Sequence, residues 1–320
     1  MMNKLFLGLM LASMLLLSAC NNSGSTTSSY DPFIGGSEGL DMSFITQSPP
    51  DEIYDSGKFP FSVSVQLTNL GESDVEDGFV EIRGISAQEF GVSDSDLKED
   101  IPQIEGAKKN ADGSIMKGLT EVVTFKSLNY QPDLAGDLPI ENFRVRACYD
   151  YQTKASAKLC IKPKGVDGMK ENELCTIAES KSVANSGSPI HITNLVERPK
   201  GEKSVMISFD IINAGPSNFK WFPKGDDSCD DSLDNSDLYK LEVEVLPIVD
   251  GRYPAKCGRL GNSNKGDLTL FNGQPQTISC EFDVGSQSSD FETPVSIVLN
   301  YRYLEYVEKT ILIKDIGISS

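Results

Sequence analysis

YDYQTKASAKLCIK, Tyr149 to Lys162, returns as YRYLEYVEKTILIK, Tyr301 to Lys314, at an offset of 152. Both stretches open with Tyr-x-Tyr, cross a polar patch and close on alternating apolar positions. Such period-2 alternation marks half-buried strands. The polar patch centred near Lys154 reads as the turn of a hairpin.

Two further blocks recur in the same order. FSVSVQLTNLGESD, Phe61 to Asp74, aligns with VMISFDIINAGPSN, Val205 to Asn218, at an offset of 144. Phe61, Val63, Val65 and Leu67 match Val205, Ile207, Phe209 and Ile211, and each run ends in Asn-x-Gly, a turn signal whose glycine can take positive φ. KGLTEVVTFK, Lys117 to Lys126, aligns with NGQPQTISCE, Asn272 to Glu281, at an offset of 155. Three ordered blocks with drifting offsets indicate a duplicated unit with small loop insertions.

Strand signals separated by turn clusters fill both copies. In the first they are Leu40 to Thr46, Phe59 to Asn69, Gly78 to Ile85, Leu119 to Ser127, Asn142 to Tyr151 and Ala155 to Lys162. In the second they are Ile190 to Val196, Ser204 to Asn213, Tyr239 to Pro247, Gln276 to Val284, Val295 to Tyr303 and Glu308 to Lys314. The expectation is an all-β chain of two tandem antiparallel β-sandwich domains, 39–165 and 189–320, with an interdomain segment at 166–188. Helix is confined to short turns such as Ala87 to Phe90 or Asp94 to Glu99.

The N-terminus predicts location. Met1 to Lys4 carry one positive charge, and the apolar run Leu5 to Leu17 is too short to cross about 30 Å of hydrocarbon, so it reads as a secretory signal. LSAC, Leu17 to Cys20, resembles the lipobox of prokaryotic lipoproteins. That resemblance implies a signal peptide at 1–19, diacylglyceryl modification of Cys20, and anchorage on the extracytoplasmic side of the cell membrane. Two acyl chains meet the requirement for stable anchoring. The Asn, Ser, Gly and Thr residues that follow cannot build a core, so 20–38 reads as a flexible tether with a reach of roughly 24 Å.

The 320 residues carry 29 Lys and Arg against 47 Asp and Glu, a formal charge of −18, which disfavours phosphate backbones and anionic lipid surfaces. Nucleic acid is not an expected partner. With Cys20 assigned to lipid, six cysteines remain, and an even number outside the cytoplasm points to disulfides. A hairpin turning at Lys154 would place Cys148 opposite Cys160. Cys257 with Cys280 is the next pairing, which leaves Cys175 for Cys229, a bond that would pin the interdomain segment to the second domain. No CxxC pair occurs and His191 is the single histidine, alternating with Ile190 and Ile192 as a structural strand residue does, so neither a zinc site nor a redox motif is indicated.

Two loops are candidate sites. DDSCDDSLDNSD concentrates Asp226, Asp227, Asp230, Asp231, Asp234 and Asp237, hard oxygen donors of the type Ca²⁺ takes, although the EF-hand pattern fails: from Asp226 as position 1, Asp231 stands where glycine belongs. The alternative is a solvated acidic loop. FKWFPKG, Phe219 to Gly225, holds the lone tryptophan. Phe219 and Trp221 make either a sugar-stacking platform or two core-facing strand residues. Carboxylate pairs alone assign no glycosidase, and FIGGSEG, Phe33 to Gly39, lacks the strand-to-helix setting of a phosphate loop.

A strand ending in TNLG or INAG, an outward strand, a G-x-x-x-x-V-x-F run and a Tyr-rich close resemble the CARDB-type immunoglobulin-like modules of archaeal and bacterial surface proteins. The resemblance implies adhesion or spacer roles, with no catalytic residues to carry over. The expected function is a non-enzymatic, membrane-anchored surface lipoprotein with a structural, adhesive or envelope-assembly role and an envelope protein or glycan as partner. The alternative is an accessory protein that binds glycan or Ca²⁺ through the second-copy loops.

Overall fold

The computed structural model describes residues 31–162, 174–177, 179–216, 219–232 and 234–317. The expected signal peptide, Cys20 and most of the tether lie outside them, as do several residues of the 166–188 segment.

Among the described residues the strands pair antiparallel except for one parallel pair, and helix is limited to single turns. Its first half contributes β1 (Leu40–Phe44), β2 (Glu52–Tyr54), β3 (Phe61–Asn69), β4 (Gly78–Arg83), β5 (Lys98–Asp100), β6 (Lys108–Lys109), β7 (Ile115–Met116), β8 (Thr120–Leu128) and β9 (Leu138–Ile161). The second adds β10 (Ala184–Asn185), β11 (Ile190–Pro199), β12 (Ser204–Asn213), β13 (Lys220–Phe222), β14 (Lys240–Val245), β15 (Ala255–Cys257), β16 (Lys265–Thr269), β17 (Gln276–Asp283) and β18 (Phe291–Lys314). Asp94–Leu97 is a 3₁₀ turn, as its sequence suggested.

Two small sheets, β1-β3-β8 and β11-β12-β17-β15, flank one broad sheet ordered β16-β14-β18-β9-β4-β5. Their hydrogen-bond registers recur at the offsets at which the sequence aligns. Val65 faces Val123 in the first small sheet, and Phe209 faces Ile278 in the second. Leu40 faces Asn69 as Ile190 faces Asn213. A further correspondence, invisible in the sequence, matches Val80 opposite Ala147 with Val243 opposite Leu299.

The halves are joined by β9 and β18, which pair antiparallel along nearly their whole length. Asp150 faces Arg302 in this ladder, and these positions are themselves equivalent at the 152-residue offset. A local two-fold relation therefore passes between them. Tyr149 faces Tyr303 and Tyr151 faces Tyr301 on either side, and the four buried rings cluster with centroids 5.6 to 6.4 Å apart, three contacts edge-on and Tyr151–Tyr301 tilted. Edge-on contacts of this kind add about 0.5–1.5 kcal/mol per pair beyond the area they bury. The core is continuous across the junction, from Val65 and Phe125 in one half to Phe209 and Phe282 in the other.

That junction corrects the hairpin reading. β9 and β18 are each 24 residues long with no turn at Lys154 or near Leu304. The polar patch stays in the ladder because its partner is the equivalent strand of the other half, not the residues that follow it. Twelve residues of continuous strand put Cys148 roughly 40 Å from Cys160, so that bond cannot form. Cys148 instead joins Cys229 and Cys160 joins Cys175, with Cα separations of 6.5 and 5.7 Å. Cys175 is thus fastened to β9 in the first half and not to Cys229. Cys257 and Cys280 face each other across β15 and β17 and are bonded as expected.

The Asn-x-Gly glycines also do a different job from the expected one. Neither Gly71 nor Gly215 has positive φ; a Cβ on Gly71 would lie 2.0 Å from the Tyr151 hydroxyl, and one on Gly215 would lie 3.0 Å from that of Tyr303. At Gly71 the tyrosine of the long strand, with the Gly187 and Glu38 carbonyls, leaves no room for a side chain, and at Gly215 Pro189 at 2.9 Å and the Tyr303 hydroxyl crowd the same place.

Candidate functional site

The long strands present two faces at the junction, and each carries a polar cluster. Asp150, Arg302, Cys148 and Leu304 point to one side and the tyrosines to the other, as strand alternation demands.

On the first side Arg302 is 1% exposed. Its Nε donates to Asp150 Oδ1 at 2.8 Å, its Nη1 to the Asp226 carbonyl at 2.8 Å, and its Nη2 pairs with Asp77. Arg146 donates to Glu81 and to the Cys229 carbonyl, at 2.9 and 3.1 Å. The acidic loop therefore lies against the sheet, held by two arginines and the Cys148–Cys229 bond over a small core of Phe79, Phe222, Leu238 and Leu304.

The loop's carboxylates are largely occupied. Asp226 Oδ1 accepts from the Ser228 N–H, the Ser228 hydroxyl and the Cys229 N–H. Burial acts to raise this carboxyl, but those bonds and Arg302 outweigh it and hold the group below its ordinary value. Asp230 caps Ser232, Asp231 pairs with Lys220, Asp237 with Lys240, and Asp227 sits 3.5 Å from Arg302. Asp234 is exposed. Among the described residues no group of three or more acidic, Cys or His side chains is placed to hold a metal ion.

Trp221 is fully buried with the Tyr239 ring edge-on at 4.9 Å, so it packs as core and offers no open face to a sugar. Phe219 is half-buried and turns the other way, toward Tyr303 and Tyr306 at 5.9 and 6.0 Å. His191 bonds the Gly36 carbonyl at 3.1 Å.

On the tyrosine side the two halves give two equivalent nodes. Thr153 Oγ1 lies 2.6 Å from the Ile190 carbonyl, 3.0 Å from Ser188 Oγ and 2.9 Å from the Tyr301 hydroxyl. The neighbouring Tyr151 hydroxyl donates to Asn69 Oδ1 at 3.1 Å. The equivalent of Thr153 is Glu305. Its carboxyl takes a hydrogen bond from the Tyr149 hydroxyl, which in turn accepts from the Leu40 N–H at 3.1 Å. Glu305 Oε1 and the Tyr303 hydroxyl have no partner among the described residues, although Glu305 is 5% and Tyr303 1% exposed.

Both of these unpaired atoms belong to residues lining a cavity of about 180 Å³, which residues 37–42, Pro189, Pro216 and Phe219 also line. Burial drives the Glu305 carboxyl up to about 8, and Asp41 and Glu38 push the same way, against the Tyr149 hydrogen bond. Burial likewise lifts the Tyr303 phenol well above its ordinary value.

Sequence reasoning named Phe219 but missed Glu305, Tyr303 and Arg302. The available signal was the aligned pair YDYQT and YRYLE, where a carboxylate occupies the position that alternation marks as buried. A scan against protein-family models finds no match to this chain, and a search of curated proteins finds none either.

Proposed function

We propose that the chain is a non-enzymatic surface lipoprotein, anchored through lipid on Cys20 and facing the extracytoplasmic side, with a structural, adhesive or envelope-assembly role. In this reading each half is an immunoglobulin-like sandwich unit and the two share one central sheet. The observation that carries it is the set of three disulfides. Such bonds persist in oxidising compartments, and they occur in a chain whose start carries the lipobox pattern. The buried Arg302 cluster supports a structural role, since its charges are spent on holding the acidic loop to the sheet.

The test is fractionation of cells expressing the wild type and Cys20→Ser. The wild type is expected in the membrane pellet and the variant in the soluble extracytoplasmic fraction. Retention of Cys20→Ser in the pellet refutes the anchor.

A further inference from the structure

We propose that the cavity lined by Glu305 and Tyr303 is a binding site for a primary alkylammonium ion. The need for donors comes first. Glu305 Oε1 and the Tyr303 hydroxyl are buried, unpaired, and two residues apart on one face of β18. Buried polar atoms are nearly always paired in folded proteins. An ionised carboxylate only accepts hydrogen bonds, and a phenol oxygen accepts as readily as it donates. A ligand bearing several N–H groups satisfies both atoms at once when the two side chains turn toward the cavity that their residues line.

Charge decides the sign. Glu305, Glu38 and Asp41 line the cavity, and among the described residues no Lys, Arg or His does. The neighbouring guanidinium, Arg144, is stacked on the Tyr306 ring at 3.9 Å and paired with Glu308 at 3.0 Å, so it is not among the lining groups.

The walls decide the rest of the ligand. Met42, Phe219, Tyr306 and Val307 supply apolar and aromatic surface for a short hydrocarbon stem. Aromatic faces favour a neighbouring cation. A cavity of about 180 Å³ is slightly larger than the roughly 150 Å³ that admits benzene, which suits a stem of a few carbons. A quaternary ammonium would fit the rings but leave both acceptors unpaired. A bare metal ion would find no set of three ligands there among the described residues.

Ionisation links binding to pH. The groups facing Glu305 are the Tyr149, Tyr151 and Tyr303 phenols, Asp41 and Glu38, and its carboxyl is pushed up to about 8. The empty site is therefore mostly protonated at neutral pH, and an entering cation displaces that proton into solvent. An alkylammonium keeps its own charge to about pH 10. The ionised fraction of Glu305 climbs from roughly 3% at pH 6.5 to roughly 90% at pH 9, so affinity rises about 30-fold over that range.

The experiment is calorimetric titration of the full chain, in a maltoside detergent, with n-butylammonium chloride at pH 6.5 and 9. One-to-one binding about 30-fold tighter at pH 9, with proton release near neutrality, is the expected result. Glu305→Gln should abolish it, with cooperative melting at pH 9 showing that the variant is folded. Tyr303→Phe should weaken it about threefold to tenfold and keep the pH slope. Absence of butylammonium binding at pH 9, unchanged binding in folded Glu305→Gln, or equal binding of tetramethylammonium or 1-butanol overturns the proposal. Nα-acetyl-lysine amide, run in parallel, separates the two sources of this group. Tighter binding than butylammonium assigns the site to a partner's lysine side chain, and weaker binding to a free amine.

Discussion

Thr153 and Glu305 occupy the same place in two copies of one frame, and their surroundings have diverged. At Thr153 every neighbouring hydroxyl is used: the threonine reaches Ile190, Ser188 and Tyr301, Ser188 also donates to the Ser186 carbonyl, and Tyr151 donates to Asn69. At Glu305 the Tyr149 hydroxyl is used, but the Tyr303 hydroxyl and one carboxylate oxygen are buried with no partner among the described residues, and both residues line a cavity. The strands, the tyrosines and the glycine above each outer tyrosine are common to both. What differs is one side chain and whether the adjoining segment fills the space. Residues 186–190 close over Thr153, whereas residues 37–42 leave room over Glu305. A shared scaffold thus carries a satisfied packing node at one position and an unsatisfied, open one at its mate. Departures of the second kind cost stability, and they concentrate at functional sites.

The sharpest way to break this contrast is to neutralise its open member. Glu305 titrates at about 8 in the folded chain against an ordinary 4.5. The folded state therefore holds this proton more tightly than the unfolded chain does. Its stability is fully present below about pH 4.5, falls as pH rises toward 8, and levels off above. A displacement of that size corresponds to at most about 5 kcal/mol. Urea unfolding should find Glu305→Gln within about 1 kcal/mol of the wild type at pH 5 and more stable by up to about 5 kcal/mol at pH 9. Parallel pH profiles for the two proteins would mean that Glu305 ionises as freely as an exposed carboxylate, and the contrast with Thr153 would vanish.

Much of the frame is legible in the sequence because alternation is a local property. The Ser204 to Asn213 strand emerges with the bounds read from its pattern, and the aligned offsets of 144, 155 and 152 reappear as matching registers. The junction is not legible in the same way. Gln152, Thr153 and Lys154 look like a turn because nothing nearby shows that their partners are Asn300, Leu299 and Val298, well over a hundred residues away. The disulfide error follows from the same cause, since a pairing inferred across a hairpin fails when no hairpin forms. Gly71 illustrates a subtler limit: composition identified a residue that must be glycine, but the reason is the Tyr151 hydroxyl packed beneath it rather than its φ. Glu305 was visible as an acidic residue on an inward-facing register. Its lack of a partner depends on residues 37–42 and Pro216, which approach from distant parts of the chain.

Thr153→Val tests the closed node with little change of shape. It removes the hydroxyl that Ser188 and Tyr301 share and takes from the Ile190 carbonyl its 2.6 Å donor, leaving the longer 3.4 Å bond from Ser188. Stranding buried partners costs about 1–3 kcal/mol. The midpoint of chemical denaturation should fall accordingly, at all pH values between 5 and 9, since no titrating group is involved. A loss that grows with pH would couple this node to Glu305 through the Tyr149–Tyr301 cluster, and the two sites would no longer count as independent.

The finest comparison is between the outer tyrosines themselves. Tyr151→Phe deletes a hydroxyl bonded to buried Asn69, whereas Tyr303→Phe deletes one that has no partner among the described residues. A net intramolecular hydrogen bond contributes about 1 kcal/mol, so the first variant should lose about that much in denaturant unfolding. The second should match or slightly exceed the wild type, because it exchanges an unsatisfied buried oxygen for none. The rings, their strand positions and the glycines above them are the same in both cases, so the difference between the two variants isolates the hydrogen bond from the packing. Equal losses would place a partner on the Tyr303 hydroxyl and close the open node. A loss at Tyr151 alone would show that the second copy keeps the ring for packing while its hydroxyl stays free to meet something from outside the chain.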